Sequence, residues 1–272
     1  MPLTGFPQPP DIPMDLQAQT VMEILMGIGA VLGCAYLIRE AVKHKTWLPV
    51  MLILGTFPAV FYEPVTDLLG LCIYPHQGQH TYLETFGRKI PIYLALAWLW
   101  YFGPFVWIFK KMFDARTPAK VWWLIYIGAA IGCTLFEITP LHFELWHYYG
   151  NQPLVFMKMP VWWGLVNPVA IIGPAYVFHR VSPRLQGATV LLGIPLLGMS
   201  IAGFHAAASL PVAVALNTSH GLPVTSFGAL LSVLVTIMTF WFLFTENDGE
   251  LPMAESLRPA PLAHRVHESR RG

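Results

Sequence analysis

The stretch "LPVMLILGTFPAVFYEPVTDL", residues 48–68, decides the fold class. It is apolar for most of its length and long enough to cross the ~30 Å hydrocarbon core of a bilayer as a helix. Its only charges, Glu63 and Asp67, come at its far end. Six further runs of similar character flank it. Together they predict an all-α, polytopic membrane protein, a bundle of seven transmembrane helices at about 20–38, 48–68, 91–109, 121–141, 161–179, 187–210 and 223–245. Pro58, Pro104, Pro168, Pro174 and Pro195 fall inside these spans, where neighbouring groups can satisfy the carbonyls that a kink frees. Gly27, Gly29 and Gly33, like Gly193, Gly198 and Gly203, read as points of close helix approach.

Composition agrees. The chain has 272 residues, of which 55% are hydrophobic and only 11% charged, with a mean hydropathy of +0.54. A soluble domain carries about a quarter charged residues, so that class is excluded. The net charge of +1, with no basic stripe, excludes nucleic acid as a partner. Cys34, Cys72 and Cys133 are widely spaced and odd in number, which argues for small buried apolar residues and against a disulfide framework or zinc knuckle. The chain carries no P-loop, no Gly-x-Ser-x-Gly and no paired Cys-x-x-Cys, which counts against ATPases and serine hydrolases.

Thirteen of the sixteen Lys and Arg residues fall on alternate connections and the tail; only Arg88, Lys89 and Lys158 fall on the other side. Basic residues collect on the cytoplasmic face. The expected organisation is therefore an extracytoplasmic segment 1–19, a membrane domain 20–245 and a disordered cytoplasmic tail 246–272, in a bacterial plasma membrane. Residues 1–19 lack Lys and Arg, so they do not read as a cleavable signal peptide. The first apolar helix is expected to serve as its own signal.

Ionisable groups at membrane depth are costly and suggest function. Glu23, Glu63, Asp67, Glu137, His142, Glu144, His147, Asn167 and His205 all fall in the outer half of this topology, and no comparable group falls inside the spans of the inner half. That predicts one polar chamber near the outer leaflet. Glu63 and Asp67 are four residues apart and share a helix face. Stacked acids repel unless one holds a proton or a cation intervenes, and a neutral carboxylic acid can act as a general acid. The alternative is that both are solvated or paired with Arg88 and Lys89. Glu137 and Glu144 would share a face if the helix survived Pro140. Glu144-x-x-His147 has the spacing of a bundle di-metal motif, but it occurs once, so no metal is expected. His205 reads either as a satisfied packing residue or as a base or proton shuttle. Asn167 either caps the kink at Pro168 or faces the chamber. The Trp and Tyr residues, Trp98, Trp122, Trp146, Trp162 and Trp163 among them, read mainly as interface belts, with some able to line an apolar pocket. The loop "YPHQGQHTYLETFGRKIP", with Gly78 and Gly87 as turn formers, reads as a lid above the chamber.

The residues "FYEPVTDLLGLCIYP", then "FGRKIP" and "WYFGP", within about 57–104, resemble the AveC-like spirocyclase family of actinobacterial membrane proteins, with weaker support from "LFEITPLHFELWHYYG". The resemblance implies acid-assisted closure of a dihydroxyketone into two rings that share one carbon, with no cofactor. It assigns no individual residue. On the residues themselves, Glu63 is the first-choice general acid, with Asp67 and Glu137 sharing or tuning the proton and His205 as base. Arg88, His142, Glu144, His147, Asn167 and Tyr74 are candidates for binding the substrate. The expected partners are a lipophilic polyketide- or terpenoid-like small molecule and membrane lipid. A non-catalytic carrier or receptor that binds a cation or lipid through the same acids is the alternative.

Overall fold

The computed structural model describes residues 7–218 and 221–248 and contains seven helical spans long and apolar enough to cross a membrane. They run Leu16–His44, Leu48–Gly70, Ile92–Asp114, Ala119–His142, Val161–Arg184, Gly187–Leu216 and Leu222–Asp248. Every expected span is present, most of them lengthened by a few residues. The chain is a multi-pass membrane protein built as an all-α bundle.

At the start of the first span a cap accounts for the added length. Helix α1 (Leu16–His44) starts four residues early because the Asp15 carboxylate accepts the N–H groups of Gln17 and Ala18, and it ends at Lys45 in the left-handed region. The second span is two helices, α2 (Leu48–Ala59) and α3 (Glu63–Gly70), joined by a 3₁₀ turn at Val60–Tyr62. Pro58 and Pro64 each lack the N–H that would bond four residues back, so the helix tightens and restarts between them. The restart puts Glu63, Thr66 and Asp67 on one buried face. The fifth span breaks at Asn167–Pro168 into α6 (Val161–Val166) and α7 (Val169–Val181). The others are α4 (Ile92–Asp114), α5 (Ala119–His142), α8 (Gly193–Leu216) and α9 (Leu222–Asp248).

Between lipid-embedded helices association rests on close packing rather than on expulsion of water. Helix α1 lies against α4, where a Cβ on Gly29 would come within 2.8 Å of the Trp100 ring and one on Gly33 within 3.0 Å of Pro104. Helix α2 packs on α8, α8 on α9, and α9 on α5 and α6, while α7 runs through the middle against α4 and α8. Helices α4 and α5 are joined by a short turn and yet make almost no backbone contact. The ring of helices is open there.

Three two-stranded ribbons, absent from the sequence expectation, cover one end: β1 (Cys72–Ile73) with β4 (His147–Tyr148), β2 (Thr81–Thr85) with β3 (Arg88–Pro91), and β5 (Val155–Phe156) with β6 (Met159–Pro160). Phe86 and Gly87 both have positive φ, as do Met157 and Lys158, which is the backbone twist a two-residue hairpin turn needs. The N-terminal strap joins this end through Met14, whose N–H donates to the Gln77 carbonyl at 2.9 Å. We call it the hairpin end. Arg39, Lys43, Lys45, Arg116, Lys120 and Arg184 lie toward the other, basic end. The expected tail beyond Asp248 lies outside the described residues.

Two expectations change here. Trp98, Trp122, Trp146, Trp162 and Trp163 are buried in the core rather than set in a belt. The basic half also holds buried charge after all: Glu40 and Lys110 are buried because α1 and α4 run past the ends that hydropathy suggested, 38 and 109.

Candidate functional site

A cavity of about 390 Å³ lies beneath the hairpin end. Glu63, Asp67, Tyr74, Glu137, Asn167 and His205 all line it, so the structure gathers six of the sequence candidates into one chamber. The cavity continues between α4 and α5, past Tyr101, Phe105 and Phe109.

Glu63 is held at both oxygens. Tyr74 donates to Oε1 at 3.2 Å and Trp98 Nε1 donates to Oε2 at 3.1 Å. Glu137 Oε2 accepts from Trp146 Nε1 at 2.9 Å and from the Tyr148 hydroxyl at 3.0 Å. Asp67 differs: its Oδ2 is buried with no hydrogen-bond partner. The three carboxyls lie within electrostatic range of one another. All the donors on Glu63 and Glu137 are neutral aromatic groups. Burial, reinforced by nearby acids, holds the Tyr74 and Tyr148 phenols well above their ordinary range, so they donate and do not ionise.

The chain reaches this arrangement locally. Leu71, at φ 52, ends α3 and sends the chain into β1. There Cys72 pairs with Tyr148 and Ile73 with His147. That register brings Trp146 and Tyr148 over Glu137, and Gln152 fastens the loop by donating to the Gly70 carbonyl at 2.8 Å. Tyr74, Tyr93 and Trp146 meet as a ring cluster above the acids, with centroids 5.9 to 6.4 Å apart.

His205, on α8, is buried, with Nδ1 3.2 Å from the Tyr62 hydroxyl and 3.3 Å from Thr66 Oγ1. Asn167 does not cap the kink after it; its Nδ2 donates to Cys133 Sγ at 3.2 Å, across to α5. Arg88 is buried behind the wall and does not line the cavity. Its guanidinium donates to the Tyr149 hydroxyl at 2.6 Å and lies within electrostatic range of Asp67.

The remaining candidates are placed elsewhere. The helix survives Pro140 but stops at His142, and Glu144 takes a left-handed conformation that reverses the chain. Glu144 therefore points away from Glu137 and pairs with Lys158 at 3.0 Å, a hydrogen bond that holds its carboxyl below the ordinary range. His142 is exposed, and neither it nor His147 lines the cavity. Desolvation pushes the His147 imidazole below its ordinary range. Sequence reasoning named Tyr74 as a site candidate but missed Trp98, Trp146 and Tyr148 as donors to the acids. Among the described residues, no group of three or more His, Cys, Asp and Glu is arranged to hold a metal ion.

No protein-family model, no curated protein and no solved structure matches the chain.

Proposed function

We propose that the chain is an integral membrane cyclase that closes rings on a lipophilic, oxygen-bearing substrate by acid–base chemistry, as the resemblance to AveC-like spirocyclases implies. The observation that carries this reading is the inequality among three clustered carboxyls. Glu63 and Glu137 are each held by two neutral donors, whereas Asp67 has a buried, unpartnered oxygen. Trp nitrogens only donate, so Glu63 Oε2 and Glu137 Oε2 act as acceptors. Arg88, within electrostatic range of Asp67, is the one cation set against three clustered acids, so the cluster retains at least one proton. An unpartnered buried carboxylate oxygen is the costliest place for a full charge. Asp67 accordingly holds the proton and is the general acid, in place of Glu63.

For a dihydroxyketone, one hydroxyl adds to the carbonyl carbon and the C=O π bond opens. The hydroxyl's proton is relayed through the carboxyl cluster to the carbonyl oxygen, which becomes the hemiketal hydroxyl. The hemiketal hydroxyl then leaves as water with a proton from Asp67. The second hydroxyl bonds to the same carbon, and its proton passes by way of Glu63 or His205 back to the cluster. One water is lost and no redox change occurs. The aromatic walls exclude water and fold the chain, which contributes by proximity. The basic asymmetry supports a topology in which the hairpin end faces the extracytoplasmic side of a plasma membrane.

The test is a long-chain dihydroxyketone offered to the protein in vesicles, with mass spectrometry for a product lighter by one water. Asp67→Asn should lower the rate by about 10²–10⁴-fold, the usual worth of general acid catalysis. Full activity in Asp67→Asn would remove the assignment.

A second reading is supported by the rings of Tyr74, Trp98, Trp146, Tyr148 and Trp163 around the acids, a lining suited to an organic cation. Uptake of a quaternary alkylammonium without any turnover would favour this carrier or receptor.

A further inference from the structure

We propose that the gap between α4 and α5 is a lateral portal through which a single-chain amphiphile passes from the bilayer, its neutral oxygen-bearing head reaching the acids and its chain lying in the gap. This rests on the reading of the carboxyl cluster as the place where the head reacts.

The roof of the chamber is shut. Leu71, Tyr74, Tyr93 and Trp146 are each no more than 5% exposed, so the cavity has no broad mouth at the hairpin end. The wall between α4 and α5 is different. The aromatic contacts between these helices fall at two levels: Trp100 meets Phe136 edge-on at 6.3 Å, and, near the connecting turn, Phe109 and Phe113 meet Trp122 at 5.7 and 4.1 Å. Between those contacts run roughly 14 Å of α4 and 21 Å of α5, at ~1.5 Å rise per residue. Tyr101 and Phe105 on one side and Ala129 and Gly132 on the other line the cavity along this interval. Gly128 and Gly132 are exposed, and a Cβ at either would meet nothing within 4 Å. The interval is therefore an open slot, not a packed seam. Phe136, 41% exposed and lining the cavity, stands where slot and chamber meet.

The slot has the chemistry of one occupant. It is apolar along its length and continuous with the acids at one end only, which matches a molecule with one polar end and one chain. The width two glycines leave on one helix suits a single chain better than the paired tails of a phospholipid. Trp100 is fixed against α1 by Gly29 and by its Nε1–H, donated to Met26 Sδ at 3.2 Å. The exposed Phe136 ring can rotate, so the edge contact can part without moving backbone.

The experiment uses a long-chain fatty alcohol bearing a mid-chain diazirine, equilibrated with the protein in phosphatidylcholine vesicles, irradiated and mapped by peptide mass spectrometry. Label is expected on Tyr101, Phe105 and the Ala129–Cys133 stretch, and excess unlabelled fatty alcohol should remove it there while label on the lipid-facing Val31 and Leu32 of α1 persists. Gly132→Trp should lose the slot label and keep the α1 label; the wild-type competition stands by itself if that variant fails to fold. Uniform label on lipid-facing residues with no competition in the slot would overturn the portal. Asp67→Asn should leave slot labelling intact. Persistence of labelling with no ring closure would sink the cyclase reading alone, and ring closure without slot labelling would sink the portal alone.

Discussion

The two ends of the bundle bury acids in opposite ways. At the basic end Glu40, Asp114 and Glu246 each meet a cation, Glu40 alone being buried, while Asp248 accepts the Ala119 N–H at 2.8 Å. Glu40 takes Lys111 at 2.6 Å and Trp107 at 2.8 Å, Asp114 takes Lys110 at 2.5 Å and His179 at 2.8 Å, and Glu246 takes Arg180 at 2.6 Å. At the hairpin end Glu63 and Glu137 meet only indole and phenol donors, and Asp67 leaves one oxygen bare. Cation pairing fixes a charge and settles it, which serves packing. Neutral donors hold a carboxyl in place without fixing its proton, which serves chemistry. A second pocket at the basic end, lined by Lys110, Asp114 and His179, therefore reads as a structural joint.

This contrast can be broken by exchanging what each end loses. Asp67→Asn carries the largest expected effect, on rate, with midpoint temperature nearly unchanged because no hydrogen bond to Oδ2 is lost. Lys111→Met should do the reverse: it leaves the buried Glu40 with only the Trp107 indole and His44 at 3.4 Å. It costs about 2–3 kcal/mol, below the usual range for a buried pair because water reaches Lys111 and those partners remain. Thermal unfolding in detergent checks it, and adding Glu40→Gln should recover most of the loss. If Lys111→Met unfolds no earlier than the parent, the two ends do not differ in the way described.

Trp98→Phe sharpens the comparison within the site. It keeps the ring and removes the donor to Glu63 Oε2, at an expected cost of about 1–3 kcal/mol in stability. Tyr101→Phe, in the same cavity but outside the acid cluster, should cost less in a parallel unfolding measurement.

The smallest effect is a pH dependence outside the membrane. His76 and His147 both have imidazoles pushed below the ordinary range, chiefly by desolvation, and both have a buried Nε2 without a partner. A depressed histidine is neutral in the folded state while the unfolded chain takes up a proton. Stability is thus fully present above ~6.5 and falls as pH drops from there toward the lowered folded values. Midpoint temperature measured between about pH 7 and pH 5 should decline, and His76→Gln with His147→Gln should flatten that decline.

Much of the site was legible in sequence. Glu63 and Asp67 do share a helix face, because Pro64 restarts the helix at Glu63. Glu137 and His205 line the same chamber, although Glu137 lies near the end of α5 and His205 midway along α8, which runs further than hydropathy suggested. What misled was the segment after His142. Glu144 has helical spacing from Glu137, but a left-handed backbone turns it out to Lys158, and that turn has no glycine to announce it. The tryptophans misled for another reason. A Trp near a span end has the same sequence signature whether it faces headgroups or a neighbouring carboxylate.

By itself the sequence determined the bundle. Seven apolar runs can hide their backbone polar groups from lipid only as helices, so their number, order and approximate limits follow from hydropathy. Which faces meet was decided only in three dimensions. Whether a carboxyl is held by a cation or by an indole, and whether α4 closes on α5 or stands apart from it, depends on side chains from distant spans competing for the same space. Hydropathy carries no information about that competition, because in lipid every apolar face is equally content until a better-fitting neighbour occupies it.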